Sequence, residues 1–409
     1  MGVLNVNGFT VLHKRIPTNI ISTRIVVNAG STNEEKNEYG VAHYLEHMFF
    51  KGTNKHTYKE INMITAELGQ ANAYTSKETT AFFINSLASD FGRSAEILME
   101  MFFEPAFIEE EFEIEKGVIL EEYQSRLDDP FTYFWNMSSE SFWGSQRGHK
   151  IVGNRNTIQN MTIDDLKSFR KRYYNVDNVV FTVAGDISEE EVVKVFSGLL
   201  SNAPSQSYAK LDNSTIEYAP ANFDDFSFNH KAKQAIIGFL AKSVSAIEKH
   251  DANYRSAVMS VGLGGGMHSL LFDRIREELG LCYSVGVLAQ SFKDTGDSLV
   301  YCLLDEGNIE QAKGEISTIL QKTKQQGFSE ELLRVSKKTM LFDLADEFEK
   351  SGGYSHLIFD NYFKFGCQLI SYEEREEKIN SVTNDDIIES VNETFKDDEL
   401  KFVQMTTEK

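Results

Sequence analysis

Apolar positions recur along the chain with two periods, roughly every second residue in some stretches and every third or fourth in others. These periods separate strands from helices. In the first half, strands are predicted at Thr10–Lys14, Thr23–Asn28, Thr79–Leu87 and Val179–Ala184. Helices are predicted at Asn37–Lys51, Tyr58–Leu68, Phe91–Phe103, Ile108–Leu127 and Thr162–Tyr174. The second half offers strands near Gln234–Leu240, Cys282–Gln290 and Ser298–Leu304, with helices at Ala252–Gly262, Met267–Leu279, Ile309–Gln325 and Glu330–Phe348. An Asn7-Gly8 pair between two short apolar runs predicts a hairpin at the start. Hairpins mixed with helices, without strict βαβ alternation, predict an α+β fold: an antiparallel-rich sheet with helices packed on one face.

The two halves share a plan. Thr162 precedes Ile163-Asp164-Asp165-Leu166, a helix to Tyr174 and then a strand from Asn178. Thr383 precedes Asn384-Asp385-Asp386-Ile387, a helix to Phe395 and a strand from Glu399. In both, Thr suits an N-cap and the acids behind it suit the positive end of the helix. Between them, near Asn202–Asp225, periodicity fades and two of the five prolines, Pro204 and Pro220, occur. The expected division is a first domain over 1–203, a linker over 204–225 and a second homologous domain over 226–409.

Charge and cysteine content narrow the function. A formal charge of −21 removes the basic footprint that general nucleic-acid binding needs. It favours basic ligands only where the acids line a cavity, and an acidic solvated surface explains it equally well. Cys282, Cys302 and Cys367 are too few and scattered for a disulfide framework or a CxxC metal site, so reduced thiols are expected. No apolar run approaches the ~18–20 residues that span a bilayer. With no export signal read at the N-terminus, a cytoplasmic location is the expectation.

The strongest local signal is His43-Tyr44-Leu45-Glu46-His47. On a helix these two His and the Glu share one face. Two imidazoles at that spacing can hold one tetrahedral zinc, and Glu46 beside them can take a proton from water whose pKa the metal lowers to about 7. This is the inverted form of the HExxH arrangement. A third ligand must come from elsewhere. Glu115 and Glu122, seven residues apart, fall within about 20° of each other on a helix, with Val118 and Ile119 between them on a stripe that reads as buried. By spacing alone the pair describes a solvated acidic helix just as well. The other seven His residues have no spacing that argues for a role. Gly262–Ser269 lacks the Gly-Lys-Ser/Thr ending of a phosphate loop and reads as a bend between closely packed helices.

The run His43–Thr53, with Glu115 and Glu122 downstream, resembles the zinc site of the pitrilysin family. Gly69–Thr80, with Asn72-Ala73-Tyr74-Thr75, resembles that family's segment leading into the sheet-edge strand beside the metal, and Asn178–Asp186 the end of its first domain. The resemblance implies one zinc per chain held by His43, His47 and Glu122, a base at Glu46 and a supporting acid at Glu115. Arg276 and Tyr283 resemble the family's Arg/Tyr pair, which implies that Arg276 anchors the peptide backbone and Tyr283 polarises the scissile carbonyl. The length resembles the family's short two-domain branch, to which mitochondrial processing peptidase belongs. In that branch two chains together form the chamber, and some heterodimers split the metal residues and the Arg/Tyr pair between subunits. Because this chain carries both, the expectation is a homodimer enclosing extended peptide substrates, paired at the edge strand after Asn72-Ala73. The rival expectation is a non-catalytic peptide-holding or assembly subunit.

Overall fold

A computed structural model of the chain describes residues 2–203, 225–244, 250–364 and 370–408. Most of the expected linker and Cys367 lie outside the described residues. The strands are β1 (Gly2–Val6), β2 (Phe9–Arg15), β3 (Ile20–Val27), β4 (Gly69–Thr75), β5 (Thr80–Leu87), β6 (Val179–Gly185), β7 (Phe226–His230), β8 (Ala235–Ser243), β9 (Cys282–Ser291), β10 (Gly296–Leu304) and β11 (Lys401–Thr407). They form two sheets, ordered β1-β2-β6-β3-β5-β4 and β7-β11-β8-β10-β9. Each has one parallel pair, β2 with β6 and β7 with β11, and is otherwise antiparallel. The α+β class expected from the sequence is the observed one, and the order β2-β6-β3-β5-β4 is repeated as β7-β11-β8-β10-β9, so the duplication extends through every strand but β1.

Local chemistry explains the ends of the elements. Asn7 and Gly8 both take positive φ, 51° and 91°, which the β1–β2 hairpin turn demands. Thr162 and Thr383 both cap their helices, each accepting from the backbone N–H three residues on while Asp165 or Asp386 returns the bond. The helix expected at Asn37–Lys51 is shorter, Val41–Met48, because Gly40 sits at φ 97° and interrupts it. The one expected at Met267–Leu279 narrows to a π-type turn at Phe272–Glu278.

The chain separates into two compact units that are not contiguous in sequence. The first holds Met1–Arg126, Ser145–Ser214 and Asp346–Phe363; the second holds Leu127–Gly144, Thr215–Ala345 and Lys364–Lys409. This differs from a single cut at the linker by one stretch of helix in each direction. In the first unit, one sheet face buries Ile25, Phe82 and Phe181 against helical residues such as Tyr44, Leu98 and Phe169. Its other face carries Val26 and Ala81, which pack on Phe359 of the helix Ser351–Lys364. Arg24 lies on that side, its guanidinium 4.3 Å from the Phe83 ring centroid and donating to the Gly352 carbonyl at 3.0 Å. In the second unit, Ile237, Val300 and Leu304 face the main helical layer. Phe134, Phe142 and Trp143, from the helix Pro130–Arg147, cover Ile236, Leu240 and Met405 on the opposite face. The expectation of helices on one face therefore holds for the main layer, and among the described residues each sheet gains one helix on the other side. Among the described residues no helix is long and apolar enough to cross a membrane.

Phe134 is fully buried in the second unit. Phe134→Ala is expected to cost ~3–5 kcal/mol, as for other buried aromatic truncations. Equilibrium denaturation tests this, and a change within ~0.5 kcal/mol would place the residue on the surface instead.

Candidate metal centre

The helix Val41–Met48 is two turns long and buried along most of its length, so one apolar stripe cannot hold it. Polar contacts fix its start. The buried Glu34 carboxylate accepts from the N–H groups of Gly40 and Ala42, both at 2.9 Å. His149, also buried, places Nε2 2.9 Å from the same carboxylate, and its ring stacks on Tyr39 at 3.8 Å. Burial pushes the Glu34 carboxyl up, and the bonds from His149, Gly40 and Ala42 work against it. Gly40 has no room for a side chain, since a Cβ would lie 2.6 Å from the Val152 carbonyl oxygen. Sequence reasoning found neither Glu34 nor His149. Their separation of 115 residues leaves no spacing to read.

The helix then packs on the long helix Glu109–Asp128. Tyr44 stacks on Phe112 at 4.7 Å and donates its hydroxyl proton to the Phe112 carbonyl at 2.6 Å. One turn on, His47 Nδ1 lies 2.7 Å from Glu115 Oε1, and Lys51 forms an ion pair with the other oxygen. Burial alone would raise the Glu115 carboxyl, but the bonds from His47 and Lys51 outweigh it and hold it below the ordinary range. Glu115 is thus an ionised acceptor, so Nδ1 of His47 carries the proton and Nε2 presents its lone pair to the site. Burial would lower His47, and the Glu115 carboxylate outweighs this to raise it.

Glu122 comes off the same long helix two turns later. Its Oε2 lies 3.6 Å from His43 Nε2 and 3.7 Å from His47 Nε2. Arg126 holds the other oxygen at 2.7 Å. Those separations exceed a hydrogen bond, yet they are close to the ~3.3–3.5 Å between ligand atoms around a tetrahedral zinc with bonds of ~2.0–2.1 Å. All three ligand atoms lie within 4.8 Å of one another, and this is the group of metal-ligating side chains found among the described residues. Burial, with the neighbouring His47 ring adding to it, pushes His43 down to about 4, so it is neutral and able to ligate. Its Nδ1 is buried without a hydrogen-bond partner, leaving packing to orient the ring. The donor set fits a divalent zinc. Of the adjacent acids, Glu121 is exposed and outside the group. Val118, expected on a buried stripe, is 47% exposed, whereas Ile119 is buried.

Glu46 shares the helix face with both His residues but is not one of the clustered ligands. Its Oε2 accepts from the Thr75 hydroxyl at 2.6 Å. Burial raises its carboxyl above the ordinary range, with the Thr75 bond partly opposing this. A carboxylate with raised proton affinity is suited to take and return a proton near neutral pH. Asn72, Ala73 and Thr75 all lie in β4, which forms one edge of the sheet. The edge strand was expected after Asn72-Ala73. It is these residues themselves, because the strand predicted at Thr79–Leu87 is β5, one place further in. The Ala73 N–H is satisfied by the Asn72 side chain at 2.8 Å.

In the second unit, Arg276 lies on the π-type turn and Tyr283 at the start of β9. The Arg276 guanidinium sits 4.6 Å from the Phe272 ring and 5.4 Å from that of Tyr283, so the expected pair comes together. Tyr283 is 72% exposed. Cys282 and Cys302 are free thiols.

Residues 10–151 match the family model described as "Insulinase (Peptidase family M16)", and residues 160–340 match "Peptidase M16 inactive domain". The chain is 31% identical over 396 residues to an "Uncharacterized zinc protease" of Rickettsia bellii, covering 95% of this chain and 93% of that one. A similarly described protein of Bacillus subtilis is 30% identical over 343 residues, 82% and 81% of the two chains. In fold, the chain matches the crystal structure of a protease from Helicobacter pylori with a TM-score of 0.90 at 22% identity, over 99% of each chain.

Glu115→Gln keeps the volume and removes the charge that orients His47. It is expected to weaken zinc binding ~10–100-fold, the usual effect of losing a partner behind a metal ligand. Competition against a chromophoric chelator measures it, and an unchanged affinity would remove Glu115 from the site.

Proposed function

The chain belongs to the M16, or pitrilysin, family of peptidases, and from that premise we propose that it is a zinc-dependent endopeptidase acting on extended peptides. The observation that carries this is the convergence of His43, His47 and Glu122 at spacings suited to one shared ion, with Glu46 unligated beside them. Zinc bound there supplies Lewis acidity, making water acidic near neutral pH and polarising a carbonyl.

The chain's own residues do the rest. An extended peptide pairs with the free edge of β4, displacing the Asn72 side chain from the Ala73 N–H and taking that donor itself. Such pairing uses backbone groups, so it asks little of the substrate's sequence. Glu46 removes a proton from the attacking water and delivers it to the departing amine. Arg276 holds the peptide backbone, and the Tyr283 hydroxyl donates to the carbonyl oxygen as negative charge develops there. We assign this pair to the zinc site of a second copy, in a homodimer with one zinc per chain. Basic peptides are the favoured substrates if the excess of acids faces the enclosed space.

Glu46→Gln is expected to retain one zinc per chain and lose ~10²–10⁴-fold in kcat on a quenched peptide. Zinc retained with full turnover would reject the base, and a parent chain that binds zinc but cleaves nothing would favour a peptide-holding subunit. The homodimer has its own test. Mixing Glu46→Gln with a crippled Tyr283→Phe chain is expected to restore about a quarter of parental activity, since half the dimers are mixed and each carries one intact site. No recovery on mixing would place both residues in the same chain's site.

A further inference from the structure

We infer that Thr75 is a positioning residue for Glu46, its hydroxyl holding one carboxylate oxygen so that the other is presented to the reacting water; this rests on the peptidase reading above.

The geometry is specific. In β4, Ala71 and Ala73 pack against the core that includes Tyr44, Leu45 and Met48 of the metal helix. Thr75 continues their alternation on the same sheet face. That brings its Oγ1 to 2.6 Å from Glu46 Oε2, a bond in which the hydroxyl donates to a carboxylate. The inner side of this strand end is well anchored. Thr75 pairs with Thr80, the Thr80 hydroxyl donates to the Ala29 carbonyl at 3.0 Å, and the Ser76 N–H donates to the Thr79 carbonyl at 2.8 Å. A β-branched side chain on an anchored backbone has little χ1 freedom, so the hydroxyl is a fixed point.

Two consequences follow for Glu46. With Oε2 engaged, the carboxylate is restrained from turning to become a fourth ligand, in keeping with its absence from the ligand group. Its alignment is also tied to the strand on which the peptide is proposed to pair. The base is thereby set from the substrate's side of the site, whereas Glu115 sets His47 from the other helix.

The test compares Thr75→Val, which keeps the shape and loses the hydroxyl, with Thr75→Ser, which keeps the hydroxyl. Both are made in the full chain loaded with zinc. Thr75→Val is expected to lose roughly 10–100-fold in kcat, the size of one hydrogen bond to a charged group, with KM changed less than about twofold. Its zinc affinity, read by chelator competition, is expected not to weaken, and Thr75→Ser is expected to restore kcat to within a few-fold. Parental kcat in Thr75→Val would overturn the assignment. So would a loss matched by loss of zinc, or a Ser variant as impaired as the Val one. If the Val variant does not fold, Thr75→Ala carries the same comparison. A parent chain that cleaves no peptide sinks the peptidase reading itself, whereas an active parent with an indifferent Thr75 sinks only this inference.

Discussion

The site depends on one helix–helix contact. Tyr44 stacked on Phe112, with its hydroxyl on the Phe112 carbonyl, fixes where the short helix meets the long one. From that anchor His47 reaches Glu115 and, two turns further along the long helix, Glu122 arrives between both imidazoles. Three ligand atoms are thus gathered around one point, His43 buried and His47 and Glu122 half-buried, without a hydrogen bond of ordinary length between the carboxylate and either ring. The surrounding structure holds them there. Glu34 secures the helix start, Arg126 holds the spare oxygen of Glu122, and Lys51 neutralises Glu115. Ligand atoms held in place by their neighbours before an ion arrives are what a preorganised binding site requires.

The duplicated fold shows how one architecture can carry two different sets of groups. Five strands match in order between the sheets, with β1 the unmatched extra strand of the first, and β4 corresponds to β9 as the outer strand after a helical segment. Among the described residues, only the first unit places a metal-ligating group on its sheet-covering helices. The second unit has a glycine-rich end to its helix His250–Gly264, where a Cβ on Gly264 would come 2.6 Å from the Val287 N. It offers Arg276 and Tyr283 beside its outer strand instead. At Gly264 the helix end packs directly on the β9 backbone, with no space for a side chain.

Much of this was legible in the sequence, for identifiable reasons. His43, Glu46 and His47 lie within one turn, so helical period alone puts them on one face. Glu115 and Glu122 were visible as a same-face pair, but spacing could not separate ligation from solvation, and only the family resemblance chose Glu122 over Glu121. Thr162 and Thr383 were legible as caps because capping is a local interaction. What was not legible is long-range. The Glu34–His149 bond joins residues with no periodic relation. The helices at Pro130–Arg147 and Ser351–Lys364 each cover a sheet face in a unit built mainly from the other half of the sequence, and adjacency along a chain says nothing of that. A local signal did exist for the first, in Asp129-Pro130, where Asp129 accepts from the Thr132 N–H at 2.7 Å. Thr75 was part of a quoted motif, yet its contact with Glu46 depends on the sheet face that β4 presents.

X-ray absorption at the zinc edge of the purified chain tests the central claim most directly. The account predicts one zinc per chain, with two imidazole nitrogens and carboxylate or water oxygen at ~2.0–2.1 Å and no sulfur. A chain that retains no stoichiometric metal, or a spectrum showing thiolate or only oxygen ligands, would contradict it.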